Sequence, residues 1–140
     1  MKIILEGTDG VGKTSTIKKL KEENIICEDR SKDIISKYMM FDVDLKYRVN
    51  RYYKYLKNND VKVIFMINND KEELMRRIYK RKKISDFDLR AYEYNNLYKE
   101  TFNYMKDNNL LLNKLYMVDV TGLGEDEQTK KIKDIIIKWI

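Results

Sequence analysis

The chain of 140 residues is long enough for one domain with a substantial core, and its 43% hydrophobic and 37% charged residues are typical of a soluble globular protein. No apolar run approaches the ~18 residues that a membrane span needs, no signal-peptide pattern is evident, and the single cysteine excludes an internal disulfide. We therefore expect one cytoplasmic domain over residues 1–140. The absence of histidine excludes imidazole as a base or metal ligand, and the net charge of +6 suits anionic partners, although AT-rich codon usage would explain it equally well.

The first element along the chain is a short apolar run at residues 2–5, which predicts a buried strand followed by a glycine-rich loop and a helix. The loop fits the pattern G-x-x-x-x-G-K-[ST], and a chance match in a chain of this length is expected well under about one time in a hundred. A strand, a glycine loop and a helix in this order are the context in which the pattern binds phosphate. The residues predicted to bind a nucleotide are Gly7, Asp9, Gly10, Val11, Gly12, Lys13, Thr14 and Ser15.

Each residue type in this loop has a physical role in holding phosphate. The glycines let successive backbone N–H groups turn inward, the Lys13 ammonium reaches the β- and γ-phosphates, and the Thr14 hydroxyl takes Mg²⁺. The helix that follows, from Lys13 to about Glu23, directs its positive N-terminal end at the anion.

Further elements alternate along the rest of the chain. Strands are predicted at residues 24–28, 61–67 and 115–120, and the second of these is a continuous β-branched run typical of an interior parallel strand. Helices are predicted at residues 36–57, from Asp70 into the basic run 76–83, over 87–105, and over 125–139. Asp70, followed three residues later by Glu73, forms a capping-box-like helix start.

The alternation of strands and helices predicts an α/β fold with a small, about four-stranded parallel sheet covered by helices on both faces. In such folds ligands bind at the carboxyl ends of the strands. The glycine loop, Asp29 with Arg30, and the loop after Ile67 are all predicted to lie at that edge.

Two further groups of residues are candidates for phosphoryl-transfer chemistry, which needs a metal and positive charge over the transferring group. Arg77 and Arg81 are four residues apart and are expected on one helix face, either as an arginine lid or as a solvated helix end favoured by the helix dipole. Asp29 follows a predicted strand and would hold Mg²⁺, with pairing to Arg30 as the alternative. Tyr38 would stack on a base or pack against the protein.

Four blocks of this sequence resemble the thymidylate kinase family and its deoxynucleoside kinase relatives. The first block, residues 5–14, is similar to the family's E-G-x-D-G-x-G-K-[ST] loop, and the second is Asp29-Arg30 at a strand end. The third is the strand at 63–67 followed by Arg77 and Arg81, which is similar to an R-x-x-x-R lid. The Asp86-Phe87-Asp88 segment that follows the lid looks like the family's D-x-F-E segment, shifted in position and with Asp in place of Glu. The fourth block is the final strand and helix.

The resemblance implies a P-loop NTPase fold and an ATP- and Mg²⁺-dependent phosphotransferase. It implies that Lys13, Asp29, Arg77 and Arg81 are catalytic, that Thr14 and Asp29 support the metal, and that Asp9, Arg30 and Tyr38 contact the acceptor. Val11 stands where some members carry a loop arginine, so the arginines would come from the lid. Members of that family have a further strand and helices before the Asp-Arg pair, a region that supplies many acceptor contacts. In this chain the first helix leads almost directly into residues 24–26, so the acceptor side is shortened.

The leading functional hypothesis is transfer of the ATP γ-phosphate to a (deoxy)nucleoside monophosphate. A deoxynucleoside kinase or a polynucleotide 5′-hydroxyl kinase is an alternative, with Glu28 or Asp29 as the candidate base and nucleic acid as a second-choice partner. A nucleotide-binding regulatory module without turnover is a third possibility. A homodimer would complete the shortened acceptor side, with the tyrosine-rich helix at residues 36–57 as its candidate interface.

Overall fold

Four parallel strands form one sheet in this protein. A computed structural model describes residues 1–139 of the chain. The strands are β1 (Lys2–Gly7), β2 (Glu28–Asp29), β3 (Val61–Ile67) and β4 (Leu115–Asp119), and they lie side by side in the order β2-β1-β3-β4. The predicted α/β class and the four-stranded parallel sheet are therefore confirmed. No helix within the described residues has the length and apolar character needed to cross a membrane.

The two central strands form the hydrophobic centre of the molecule. β1 pairs with β3 along its whole length, from Lys2 opposite Val61 to Gly7 opposite Met66. Alternate side chains of a strand point to opposite faces, and both faces of β3 are buried from Val63 to Ile67. The continuous apolar run of β3 is thus explained by burial on both sides.

Helices cover both faces of this sheet, as predicted. The helices are α1 (Lys13–Glu22), α2 (Leu45–Asn58), α3 (Lys71–Tyr79), α4 (Asp86–Leu89), α5 (Ala91–Asp107) and α6 (Glu125–Ile137). On one face α1 and α6 pack against Leu5 and Ile64, and on the other α2 and α5 pack against Ile4 and Phe65.

Several element boundaries differ from the sequence prediction. The strand expected at residues 24–28 is only Glu28–Asp29, because Asn24 has a left-handed φ of 63° and Ile26 is 65% exposed, so this stretch is not paired with β1. The helix expected from residue 36 begins at Leu45 instead, where the Asp44 carboxylate accepts a hydrogen bond from the Tyr47 N–H at 2.8 Å. A short 3-10 turn at Lys37–Met39 precedes it.

The arginine-bearing segment also ends earlier than expected. Helix α3 stops at Tyr79, so Arg81 lies beyond the helix and does not share a helix face with Arg77. The helix expected over residues 87–105 is divided at Arg90 into α4 and α5. Ser85 and Asp88 form a reciprocal capping box that starts a separate turn of helix there.

The predicted helix start at Asp70 is confirmed. Its carboxylate accepts a hydrogen bond from the Glu73 N–H at 3.1 Å and satisfies one of the unpaired donors of the first turn of α3.

Replacing this cap should destabilise the protein modestly. We expect Asp70→Ala to lower the free energy of unfolding by about 1 kcal/mol, because the first turn of α3 loses an acceptor. Urea unfolding followed by circular dichroism measures this change. Asp134→Ala, an exposed position inside α6, is the matched control and should leave stability within about 0.5 kcal/mol, so equal losses in the two variants would contradict the capping role.

Candidate functional site

A glycine loop connects the carboxyl end of β1 to the N-terminus of α1. Gly7 sits so close to β3 that an added Cβ would lie 2.5 Å from the Met66 carbonyl oxygen, so a larger residue would displace the strand. Within the described part of the chain, none of the backbone N–H groups of residues 10–15 donates a hydrogen bond. A run of free N–H groups at the start of a helix is able to bind an anion.

Two helices hold this loop from opposite sides. Arg77 of α3 donates a 3.2 Å hydrogen bond to the carbonyl of Gly10, and Gln128 of α6 donates one of 3.0 Å to the carbonyl of Val11. Gly12 adopts a left-handed φ of 94°, and an added Cβ there would lie 2.5 Å from Gln128 Nε2. The loop is therefore fixed by contacts with both helices as well as by its own sequence.

A cavity of about 430 Å³ lies directly over the loop. Its walls carry three cations, Lys13, Arg77 and Arg81, and three carboxylates, Asp9, Asp29 and Glu125. Lys13 Nζ lies 3.3 Å from Asp29 Oδ1, and its side chain is only 11% exposed. The backbone N–H groups of the loop and the three cations are groups that are able to bind an anion.

A second cavity of about 710 Å³ adjoins the first. The two share Asp9, Lys13 and Asp29 in their walls, and the second also carries Arg30 and Tyr38. The predicted nucleotide residues and the predicted acceptor residues therefore meet at one place. Two cations that the sequence analysis did not single out, Lys32 and Lys37, also line the second cavity.

Arg30 and Tyr38 occupy different environments in the second cavity. The Arg30 guanidinium is held in place, because it donates to the Tyr98 hydroxyl and to the Ile35 carbonyl at 3.0 Å. Tyr38 is 60% exposed and meets Phe87 edge to face, with ring centroids 4.8 Å apart. The ring of Tyr38 is thus available for a second aromatic contact.

Carboxylates pair with the cations at the mouth of the first cavity. Arg81 Nη1 lies 3.3 Å from Asp88 Oδ1 and 3.9 Å from Asp9 Oδ1. Burial raises the pKa of Asp88, but hydrogen bonds from Ser85 and the nearby Arg81 charge outweigh it, and the net pKa lies below the usual value. Arg77 Nη2 is 2.6 Å from Glu73 Oε1, so each arginine is held by a carboxylate.

Glu6 is a buried carboxyl beneath this site. It is on the same face of β1 as Ile4, its exposure is 0%, and neither carboxyl oxygen has a hydrogen-bond partner within the described residues. Burial raises the pKa of Glu6 to about 7, although the positive charge of Arg30 opposes this shift. A carboxylate inside the apolar strand at residues 2–7 is the sequence signal that would have pointed to it.

Gln128 is a second residue at the site that was not predicted from the sequence. This residue is 3% exposed and lies four and eight residues before Ile132 and Ile136, so it is a polar residue on the apolar face of α6.

Glu28, one of the two candidate bases, lies outside the site. Its carboxylate pairs with Lys2 at 3.0 Å, and Glu28 lines neither cavity, which leaves Asp29 as the nearer candidate base.

Residues 1–139 contain no group of three or more His, Cys, Asp or Glu side chains placed to hold a metal ion. The two predicted metal residues, Thr14 and Asp29, both line the first cavity. Oxygen donors from a hydroxyl and a carboxylate are suited to Mg²⁺, which usually keeps several water ligands and needs few from the protein.

Comparison with known proteins found no protein-family model that matches this chain and no match among the curated proteins or the solved structures.

Glu6 should make stability depend on pH. The pKa of Glu6 in the folded protein, about 7, exceeds its ordinary value of 4.5. The contribution of the protonated Glu6 side chain to the free energy of unfolding is therefore complete below pH 4.5 and is lost as the pH rises toward 7. We expect a loss of about 3 kcal/mol in the free energy of unfolding over that range, and we expect Glu6→Gln to remove it, because the amide does not ionise.

Urea unfolding at a series of pH values measures this effect. Glu22→Gln, at an exposed position of α1, is the matched control and should follow the wild-type curve. Parallel curves for Glu6→Gln and wild type between pH 4.5 and 7 would show that Glu6 is not the titrating group.

Proposed function

We propose that this protein is a P-loop nucleotide kinase that transfers the ATP γ-phosphate to a (deoxy)nucleoside monophosphate. The observation that carries the proposal is the glycine loop, which lines a cavity together with Lys13, Arg77 and Arg81. Among the described residues, the N–H groups of residues 10–15 have no hydrogen-bond acceptor. The thymidylate kinase-like loop sequence, with Asp9 inside it, favours a nucleotide kinase over other phosphate-binding proteins.

In this proposal the loop binds the triphosphate of ATP. The N–H groups of the loop and the N-terminal end of α1 offer hydrogen bonds and positive potential to the phosphate oxygens. Lys13 would exchange its contact with Asp29 for the β- and γ-phosphates. The Lys13 ammonium would thus be paired with Asp29 when ATP is absent and with the phosphates when ATP is bound, so this mostly buried cation would have an anionic partner in both states.

Mg²⁺ fits the residues present at the site. Thr14 and Asp29 would hold it, the latter directly or through water, and both line the triphosphate cavity. The bound ion would neutralise charge on the β- and γ-phosphate oxygens. Asp29 would then pair with Lys13 when ATP is absent and with the metal when Mg²⁺-ATP is bound.

The two arginines would stabilise the transferring phosphoryl group. Arg77 reaches the loop from α3 and Arg81 reaches the same cavity from the segment after α3, so both would act as a lid over the phosphates. Their present carboxylate partners, Glu73 and Asp88, hold them near the loop. Positive charge held in advance costs no reorganisation when the phosphoryl group moves.

The acceptor would occupy the second cavity. Asp9, Arg30 and Tyr38 line it, and its shared wall with the first cavity brings an acceptor phosphate towards the γ-phosphate. A monophosphate oxygen is already anionic and needs no general base. The cations Arg30 and Lys37 suit such an acceptor, and Tyr38 would contact its base or sugar.

A polynucleotide 5′-hydroxyl end is a second candidate acceptor. The size of the second cavity, about 710 Å³, and the presence of Lys32 beside Lys37 favour an acceptor larger than one nucleotide. Asp29 is then the candidate base, because Glu28 is directed to Lys2. Oligonucleotide affinity that falls steeply between low and moderate salt would support this candidate, and no binding at low salt would exclude it.

The central test is a phosphoryl-transfer screen with Mg²⁺-ATP against nucleosides, nucleoside monophosphates and 5′-hydroxyl oligonucleotides. We expect a monophosphate to be phosphorylated. We expect Lys13→Ala to reduce the rate about a hundredfold or more, because it removes the positive charge that would stabilise the transferred phosphoryl group. Lys18→Ala, on the exposed side of α1, is the matched control and should retain activity.

The melting temperature of each variant separates loss of activity from loss of fold. Lys13 touches the exposed carboxylate of Asp29, so Lys13→Ala should melt close to wild type. Binding of ATP with no acceptor phosphorylated would refute the kinase proposal and favour a nucleotide-binding regulatory module.

A further inference from the structure

Gln128 makes an unusual set of contacts with the phosphate-binding loop. Its Nε2 lies 3.0 Å from the Val11 carbonyl, 3.1 Å from the Thr16 hydroxyl and 3.3 Å from the Gly12 carbonyl. All three partners are able to accept hydrogen bonds, which fixes the orientation of the amide with its NH₂ group towards the loop. A side chain from the C-terminal helix thus bonds two consecutive peptide groups of the loop.

These contacts determine where the loop N–H groups point. In a planar trans peptide the carbonyl and the N–H of the same unit point to opposite sides. The Val11 carbonyl shares a peptide with the Gly12 N–H, and the Gly12 carbonyl shares one with the Lys13 N–H. Because Gln128 draws both carbonyls towards α6, both N–H groups are directed away from that helix.

The local sequence makes this arrangement possible. Gly12 has no side chain where Gln128 Nε2 approaches, since an added Cβ would lie 2.5 Å away. Its φ of 94° also allows the chain to turn into α1 at this point. Gln128 is 3% exposed, and its hydrogen bonds to the Val11 carbonyl and the Thr16 hydroxyl hold its side chain against the loop.

We propose that Gln128 is a positioning residue that orients the Gly12 and Lys13 N–H groups for binding a polyphosphate. This inference rests on the proposed function, because it assumes that the loop binds phosphate. It differs from the roles of Lys13 and the arginines, since Gln128 acts through the loop backbone and bonds its carbonyls.

The experiment measures loop order and anion affinity separately. Backbone ¹⁵N relaxation on the ligand-free protein gives order parameters for residues 10–15. Titration calorimetry with inorganic tripolyphosphate gives the affinity of the phosphate site without a nucleotide base. The test variant is Gln128→Met, which keeps the approximate volume of the side chain and removes its donors, and Gln128→Ala is the second variant.

Thr129→Ala is the matched control. Thr129 is the next residue of α6 and is also buried, but its hydroxyl donates to the Glu125 carbonyl of its own helix at 2.8 Å. This variant should change stability without changing the loop. A merely structural role for Gln128 predicts that the Gln128 and Thr129 variants behave alike.

We expect both Gln128 variants to show lower order parameters in the loop and about tenfold weaker tripolyphosphate binding, with neither change in Thr129→Ala. Unchanged loop order in a folded Gln128→Met would overturn the proposal, as would a disordered loop that binds tripolyphosphate as tightly as wild type. A wild-type protein that binds no tripolyphosphate would refute the proposed function, while the order parameters would still decide whether Gln128 orders the loop.

Discussion

The conformation of the glycine loop depends on hydrogen bonds to its carbonyl groups from two distant helices. Arg77 of α3 bonds Gly10, and Gln128 of α6 bonds Val11, so the loop is held at both sides of its turn. Among residues 1–139, the backbone N–H groups of residues 10–15 have no hydrogen-bond acceptor. The parallel pairing of β1 with β3 makes the bonds from α3 and α6 possible, because it places the loop between the helices that follow β3 and β4.

The charges around the loop follow from the same arrangement. Each of the three cations in the wall of the first cavity is paired with a carboxylate: Lys13 with Asp29, Arg77 with Glu73, and Arg81 with Asp88. Such partly exposed pairs add little to stability. They keep the cations ordered beside the cavities, where an anion would compete with the carboxylates. Buried Glu6 differs from them, because neither of its carboxyl oxygens has a hydrogen-bond partner among the described residues and its burial opposes ionisation.

The elements with strong periodic patterns were predictable, and those set by distant contacts were not. β3 was predicted at its observed bounds, because a strand buried on both faces must be apolar throughout. The short β2 was misplaced, since the apolar residues before it do not pair with β1 and only Glu28 and Asp29 do. The start of α2 was missed because the Asp44 cap outweighs the helical spacing of the residues before it.

The sequence by itself determined the α/β class, the glycine loop and the chemistry of its side chains, because these depend on local periodicity and on residue types at fixed spacing. Only the tertiary structure decided which residues meet. It brought Asp29, Arg77 and Arg81 to one cavity, directed Glu28 away to Lys2, and placed Gln128 and Glu6 against the site. Contacts between residues more than a hundred positions apart, such as Gln128 with Val11, arise from the packing of helices on a shared sheet and leave no local pattern in the sequence.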